Sequence, residues 1–258
     1  MGSKQQDWAV GLAAISIRAH EGDTRKLGGW SRRWGGAERK ATSREWLQLL
    51  WSINSAADVT AVLTMLRDIG ESQTWERMAA AGKGDPIAEH PDFARRRAII
   101  EQHRGHVGGR RLLAWDAGRL ATVAGWAYLS GYLEEDEAWG WILPMGARVR
   151  AAYGSWEEFS QHYLIGRSFW SDANSTVVAD AIQWLLQDRK SAWKVSGWLP
   201  PDPGIEAFPQ ETTAIPRRDD TNALAASDRV EVDPATPLRA LLEQLEVAQR
   251  ALTGAPLI

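Results

Sequence analysis

Asp116 and Arg119 stand three residues apart in Ala114-Trp115-Asp116-Ala117-Gly118-Arg119. That spacing puts both side chains on one face of a helix. Leu113 and Leu120 fall on the same face, so folding should take the carboxylate out of water, and a buried carboxylate needs a partner. Arg119 is the nearest one. Two chemistries follow. Asp116 is an acid, base or ligand in a cleft, or the pair is an ion pair that fixes helix register. The second reading is favoured, because structural pairs perturb carboxylates as readily as catalysis does.

Glu137, Glu158 and Arg167 extend the polar set. Antiparallel helices would gather Asp116, Arg119, Glu137 and Arg167 around one interhelical cleft, where facing carboxylates can bind a divalent metal. The Glu-x-x-His spacing of such sites is missing, since Glu158 and His162 are four apart. His103 and His106 could share a metal, but Gly105 should interrupt their helix and no third ligand is evident. No metal and no cofactor is therefore expected. The chain has no phosphate loop, no Gly-x-Ser-x-Gly elbow, no His-Glu-x-x-His and no dinucleotide fingerprint. With no cysteine, a nucleophile would be Ser, Thr, Asp or Lys, and none stands in an activating context.

Two basic segments suggest phosphate contact. One holds Arg25, Lys26, Arg32, Arg33, Arg39 and Lys40 with Trp30 and Trp34 interleaved; the other holds Arg95, Arg96, Arg97, Arg104, Arg110 and Arg111. A nucleic-acid interface would use Arg32, Arg33, Trp34 and Arg96. A formal net charge of −3 and the acidic run at 134–137 weigh against it.

The elements that must position these residues are helices. Trp8 to Arg18 reads as a short first helix, with its apolar run too short for a membrane span. Ser43 is placed to cap the next helix. Ser55, with Asp58 three residues on, caps another that Gly70 should end. Residues 73–81 and 92–103 carry further helical patterns. Leu112 to Tyr132 is the strongest helix signal, followed by Glu135 to Ala152 with Pro144 inside. Ser155 and Glu158 form a capping box for a helix whose stripe is Trp156, Phe159, Tyr163, Gly166 and Trp170. Gly166 would permit a close helix crossing. Ser175 starts the last core helix. No alternating strand pattern of useful length is present.

Four separated pieces carry a family resemblance: Ala114 to Arg119; Gly131-Tyr132-Leu133 with Glu135, Glu137, Ala138 and Trp139; Ser155 to Phe159; and Tyr163 to Arg167 with Phe169-Trp170. In order and spacing they resemble a bacterial family, domain of unknown function 1266, over roughly Trp8 to Trp198. The resemblance implies a helical bacterial domain and no established reaction.

The expected architecture is all-α: an irregular bundle of about eight helices over residues 1–198, a Pro-rich linker over 199–235, and an amphipathic helix over 236–258. That last helix exposes Leu241, Leu242 and Leu245 for docking, on the domain or on a second copy. Absence of cysteine fits a reducing, cytoplasmic setting. Most of the fifteen tryptophans should fill the core. The leading functional expectation is a non-catalytic module that binds another protein through Trp115, Trp139, Trp170 and Arg167. The alternatives are an enzyme built on Asp116, Arg119 and Glu137, or a nucleic-acid binder.

Overall fold

A computed structural model describes residues 3–30, 35–82, 84–173 and 176–202. Among them are eleven α-helices and no strand. In order they are α1 Lys4–Ala9, α2 Ala14–Ala19, α3 Gly36–Trp51, α4 Ala56–Asp68, α5 Gly70–Ala80, α6 Phe93–Val107, α7 Leu113–Ser130, α8 Glu135–Ala152, α9 Trp156–Trp170, α10 Thr176–Gln187 and α11 Ala192–Ser196. The all-α expectation holds. No single helix among the described residues is long and apolar enough to cross a membrane.

α7 is the axis of the molecule. Its neighbours include α2, α3, α4, α5, α8 and α9. Every one of its residues except Arg119 and Tyr128 is buried. A helix that is apolar all round belongs inside a protein, and small residues let the others come close. A Cβ on Gly118 would meet the Tyr163 ring at 2.6 Å, and one on Gly125 would meet the Gly28 backbone at the same distance. Gly131 ends α7 in the left-handed region at φ 76°, which glycine adopts without strain.

α9 crosses α7 where Gly166 faces Trp115, the close crossing read from the sequence. Tryptophan packing closes the far side. Trp156 stacks on Trp193 at 5.1 Å and on Trp8 at 5.0 Å, while Trp198 meets both Trp8 and Trp156 edge-on. Two indole N–H groups find carbonyls there: Trp156 donates to Gly197 and Trp193 to Gly11. This cluster ties α1, α9 and α11 together. The chain still packs beyond Trp198, because the Asp202 carboxylate pairs with buried Arg150.

Several local expectations need correction. The first helix breaks at Val10–Leu12. Gly11 there lies against the Trp156 ring, with its carbonyl taken by Trp193. Ser43 caps nothing: α3 begins seven residues earlier and Ser43 is buried inside it. Ser55 does cap α4, accepting the Asp58 N–H at 3.2 Å. Gly70 does not close α4 but opens α5. Gly105 does not interrupt α6, which runs on to Val107. Ser155 accepts the Glu158 N–H, but the Glu158 carboxylate turns to the Gly154 N–H, so that box is not reciprocal. Ser175, the remainder of the expected linker from residue 203, and the expected helix over 236–258 lie outside the described residues.

The Gly166 crossing yields the first testable outcome. A Cβ at that position would overlap the Cβ of Trp115, an atom that cannot move without its own helix backbone. Gly166→Ala should therefore destabilise by about 2 kcal/mol or more despite alanine's better helix propensity. Chemical denaturation measures this; a stabilised variant would mean α7 and α9 sit further apart.

Candidate functional site

α5 has no side-chain cap of its own, since its N-cap position is Ile69. The first turn's orphan N–H groups need an acceptor. Asp116 supplies it from another helix. Its Oδ1 accepts the Glu71 N–H at 3.0 Å, and its Oδ2 accepts the Ser72 N–H at 3.3 Å and the Ser72 hydroxyl at 2.9 Å. Arg119 donates to Oδ1 at 2.6 Å. Gly70 must be glycine twice over: its φ is 53°, and a Cβ would run into the Asp116 carboxylate. Asp116 is thus a tertiary cap as well as an ion-pair partner. Four donors fill the acceptor sites of its two oxygens.

The pair continues as a network. Arg119 sits 3.9 Å from Glu71, and Glu71 sits 3.6 Å from Arg96. Arg96 is buried between Glu71, Asp92, the Phe169 ring and the Trp170 carbonyl. It is therefore not available to a phosphate backbone, which corrects its assignment as a nucleic-acid contact. Arg32, Arg33 and Trp34 lie outside the described residues.

The other predicted residues do not gather. Glu137 is exposed and accepts the Glu134 N–H at 2.7 Å, completing a reciprocal capping box at the start of α8. α8 runs antiparallel to α7, so Glu137 lies at the opposite end from Asp116, about 20 Å away by helical rise. Arg167 is wholly buried, donating to the Ser171 carbonyl and lying over Trp170. Trp115 is buried beneath Arg119, with its ring against Tyr163 and Trp170. Trp139 is buried too, its indole donating to Glu135. Only Trp170 of the four expected binding residues is partly exposed.

Above Asp116 the surface opens into a cavity of about 370 Å³. Its walls are the end of α4, the turn between α6 and α7, and the last half of α8. Four arginines line it, Arg67, Arg110, Arg111 and Arg148, together with the acidic residues Asp68 and Asp116. Each is fixed by a contact of its own. Arg67 holds Asp68 with two bonds of 2.7 Å. Arg110 pairs with Glu158 over the Tyr153 ring, Arg111 pairs with Glu76, and Arg148 donates to the Arg67 carbonyl. Burial pulls the Arg148 guanidinium below its usual basicity, with Asp68 and Asp116 working against the fall. For Glu158, burial works to raise the carboxyl, but the Gly154 N–H and Arg110 outweigh it and the group stays more acidic than usual. Arg111 has φ 53° and ψ −139°, a backbone region that favours glycine.

Sequence reading singled out Arg110 and Arg111 only as members of a basic run, and it passed over Arg67 and Arg148. A signal for Arg148 exists: Met145, Arg148 and Ala152 recur at helical spacing on one face of α8. Among the described residues no group of three or more His, Asp or Glu side chains could hold a metal. His106 lines the cavity and stacks on His162 at 4.7 Å. His162 is buried beside Tyr153, and neither ring nitrogen has a hydrogen-bond partner.

Two outcomes follow. Asp116→Ala should cost about 3 to 5 kcal/mol, because Arg119 and the α5 N–H groups lose their acceptor together. Arg119→Met should cost less, since three donors still hold Asp116. Asp116→Asn should destabilise as well, having lost the charge; a catalytic carboxylate predicts an unchanged or raised stability instead. Urea midpoints of the three variants read the order. His162 gives a pH window. Burial first, then Arg110 and His106, push it from its usual 6.5 down to about 4, against the pull of Glu158. Between those values the unfolded chain takes a proton that the folded chain refuses. Stability should fall as pH drops from about 6.5 towards about 4, and His162→Leu should flatten that part of the profile. An unchanged slope in the variant would place the acid sensitivity elsewhere.

Comparison with known proteins places the chain. No curated protein matches it, and no solved structure does. A family model described as "Protein of unknown function (DUF1266)" matches residues 31–198. The match covers α3 to α11, including Asp116 and the whole arginine-lined cavity; α1 and α2, which the resemblance read from the sequence had included, precede it. The chain belongs to the DUF1266 family.

Proposed function

We propose that this domain is a non-catalytic binding module that holds a small anionic ligand in the arginine-lined cavity. One observation carries the reading: four arginines from three separate segments line a single open cavity beside the N-terminus of α7. Its volume lies near the lower end of the range for small-molecule sites. Guanidinium forks match carboxylate and phosphate oxygens, and their own protein contacts pre-organise them for the task. Asp116, the enzyme candidate, spends its acceptor sites on the fold and has none left for moving a proton. An aromatic docking face for a protein partner loses its support, because Trp115, Trp139 and Arg167 are inside.

Titration calorimetry of the full chain with citrate and inorganic pyrophosphate tests this at low and high salt. At least one should bind, more weakly as salt rises. Arg110→Gln with Arg111→Gln, both at partly exposed positions, should weaken binding by about tenfold or more. If neither anion binds the wild type more tightly than the double variant, the cavity is not an anion site.

A further inference from the structure

We infer that the ligand of this cavity is a phosphate monoester, an organic group bearing one phosphoryl dianion. The inference rests on reading the cavity as an anion site and names which anion it takes. The first argument is where the donors come from. Arg67 comes from the end of α4, Arg110 and Arg111 from the turn before α7, and Arg148 from α8. A carboxylate presents two oxygens in one plane and is satisfied by one or two forks. A phosphate monoester presents three terminal oxygens arranged tetrahedrally, and so can accept from forks that approach out of plane.

The second argument is which donors remain. Arg67 uses Nε and Nη2 on Asp68, leaving Nη1. Arg110 uses Nη1 on Glu158 and the Ala152 carbonyl, leaving Nη2. Arg111 meets Glu76 through Nε, leaving both terminal nitrogens. The contacts that hold these side chains leave the ends of the forks available. The two carboxylates in the wall are already matched, Asp68 by Arg67 and Asp116 by its four donors.

The third is the backbone of the turn. A Cβ on Gly105 or on Gly108 would meet nothing within 4 Å. Gly105 is helical, so neither packing nor backbone conformation calls for glycine there. Both positions line the cavity. Arg111, two residues past Gly109, accepts a strained backbone and lines the cavity too. A ligand site accounts for both features.

The fourth is size and lining. A cavity of about 370 Å³ exceeds what a lone phosphate fills. Leu66, Ile69, Leu113 and Met145 supply an apolar wall for the organic part, and His106 offers a ring edge.

The test uses the full chain with ribose 5-phosphate, inorganic phosphate and succinate in titration calorimetry. Ribose 5-phosphate should bind about tenfold or more tightly than succinate, and more tightly than inorganic phosphate. A second variant, Gly105→Leu, puts a bulky side chain at a cavity-lining position where a Cβ meets no atom of the folded chain. It should melt at or above the wild-type temperature in the absence of ligand, since leucine is the better helix former, and lose most of the ribose 5-phosphate affinity. Succinate binding as tightly as ribose 5-phosphate would overturn the phosphate assignment and leave the anion site standing. Binding of ribose 5-phosphate that Gly105→Leu leaves intact would overturn it too. No binding of any of the three, nor of citrate or pyrophosphate, would remove the anion site itself.

Discussion

The Asp116 carboxylate is where the fold's two demands meet. α7 must be apolar enough to sit in the middle of the other helices, and α5 must start somewhere with its N–H groups satisfied. A carboxylate on α7, pointed at the Gly70 corner, answers the second demand at the expense of the first. Its burial is tolerable only because Glu71 N–H, Ser72 N–H, the Ser72 hydroxyl and Arg119 all donate to it. Ser72 does double duty, since its hydroxyl oxygen also accepts the Leu112 N–H at the start of α7. The beginnings of two helices are thereby tied to one side chain. The ion network through Glu71 to Arg96 carries the tie onward to α6 and the end of α9.

How much of this was legible depends on the range of the interaction. Ser55 capping α4 was readable because Asp58 lies three residues away, and Gly166 was readable as a close-approach position from its place on the α9 stripe. The burial of Asp116 was readable from its neighbours Leu113 and Leu120. Its role as a cap for α5 was not, because Ser72 is 44 residues away. Glu137 misled for the same reason in reverse. It belongs to the next motif after the one that holds Asp116, but an antiparallel turn puts it at the far end of α7. The tryptophans marked as binding residues share helix faces with core residues. Periodicity alone cannot tell an inward Trp115 from an outward one when every face of α7 is covered.

The cavity was the least legible feature. Arg67, Arg110 and Arg148 each sit about 40 residues from the next, and only the packing of α4, α7 and α8 brings them together. What the sequence did show was their type. An arginine on the inner face of α8, three residues after Met145, is a long cation where an apolar residue would pack. Such a residue must reach either a carboxylate or water. Here it reaches a cavity edge, which explains why its spacing fits the core pattern while its chemistry does not.

Helix ends explain why the cavity forms here and not elsewhere. α4 stops and α5 starts at one corner, α6 stops and α7 starts at the next, and α8 stops beside both. Each terminus brings unpaired carbonyls or N–H groups that apolar packing cannot satisfy. The chain meets them with long arginines: Arg148 on the Arg67 carbonyl, Arg110 on the Ala152 carbonyl, Arg97 on the Met78 and Ala79 carbonyls. A guanidinium recruited to close a helix end uses one or two of its five N–H groups. Several such groups around one junction leave a set of fixed, cationic donors facing the gap that the diverging helices cannot fill. The proposed anion site would then be a by-product of terminating helices with arginine.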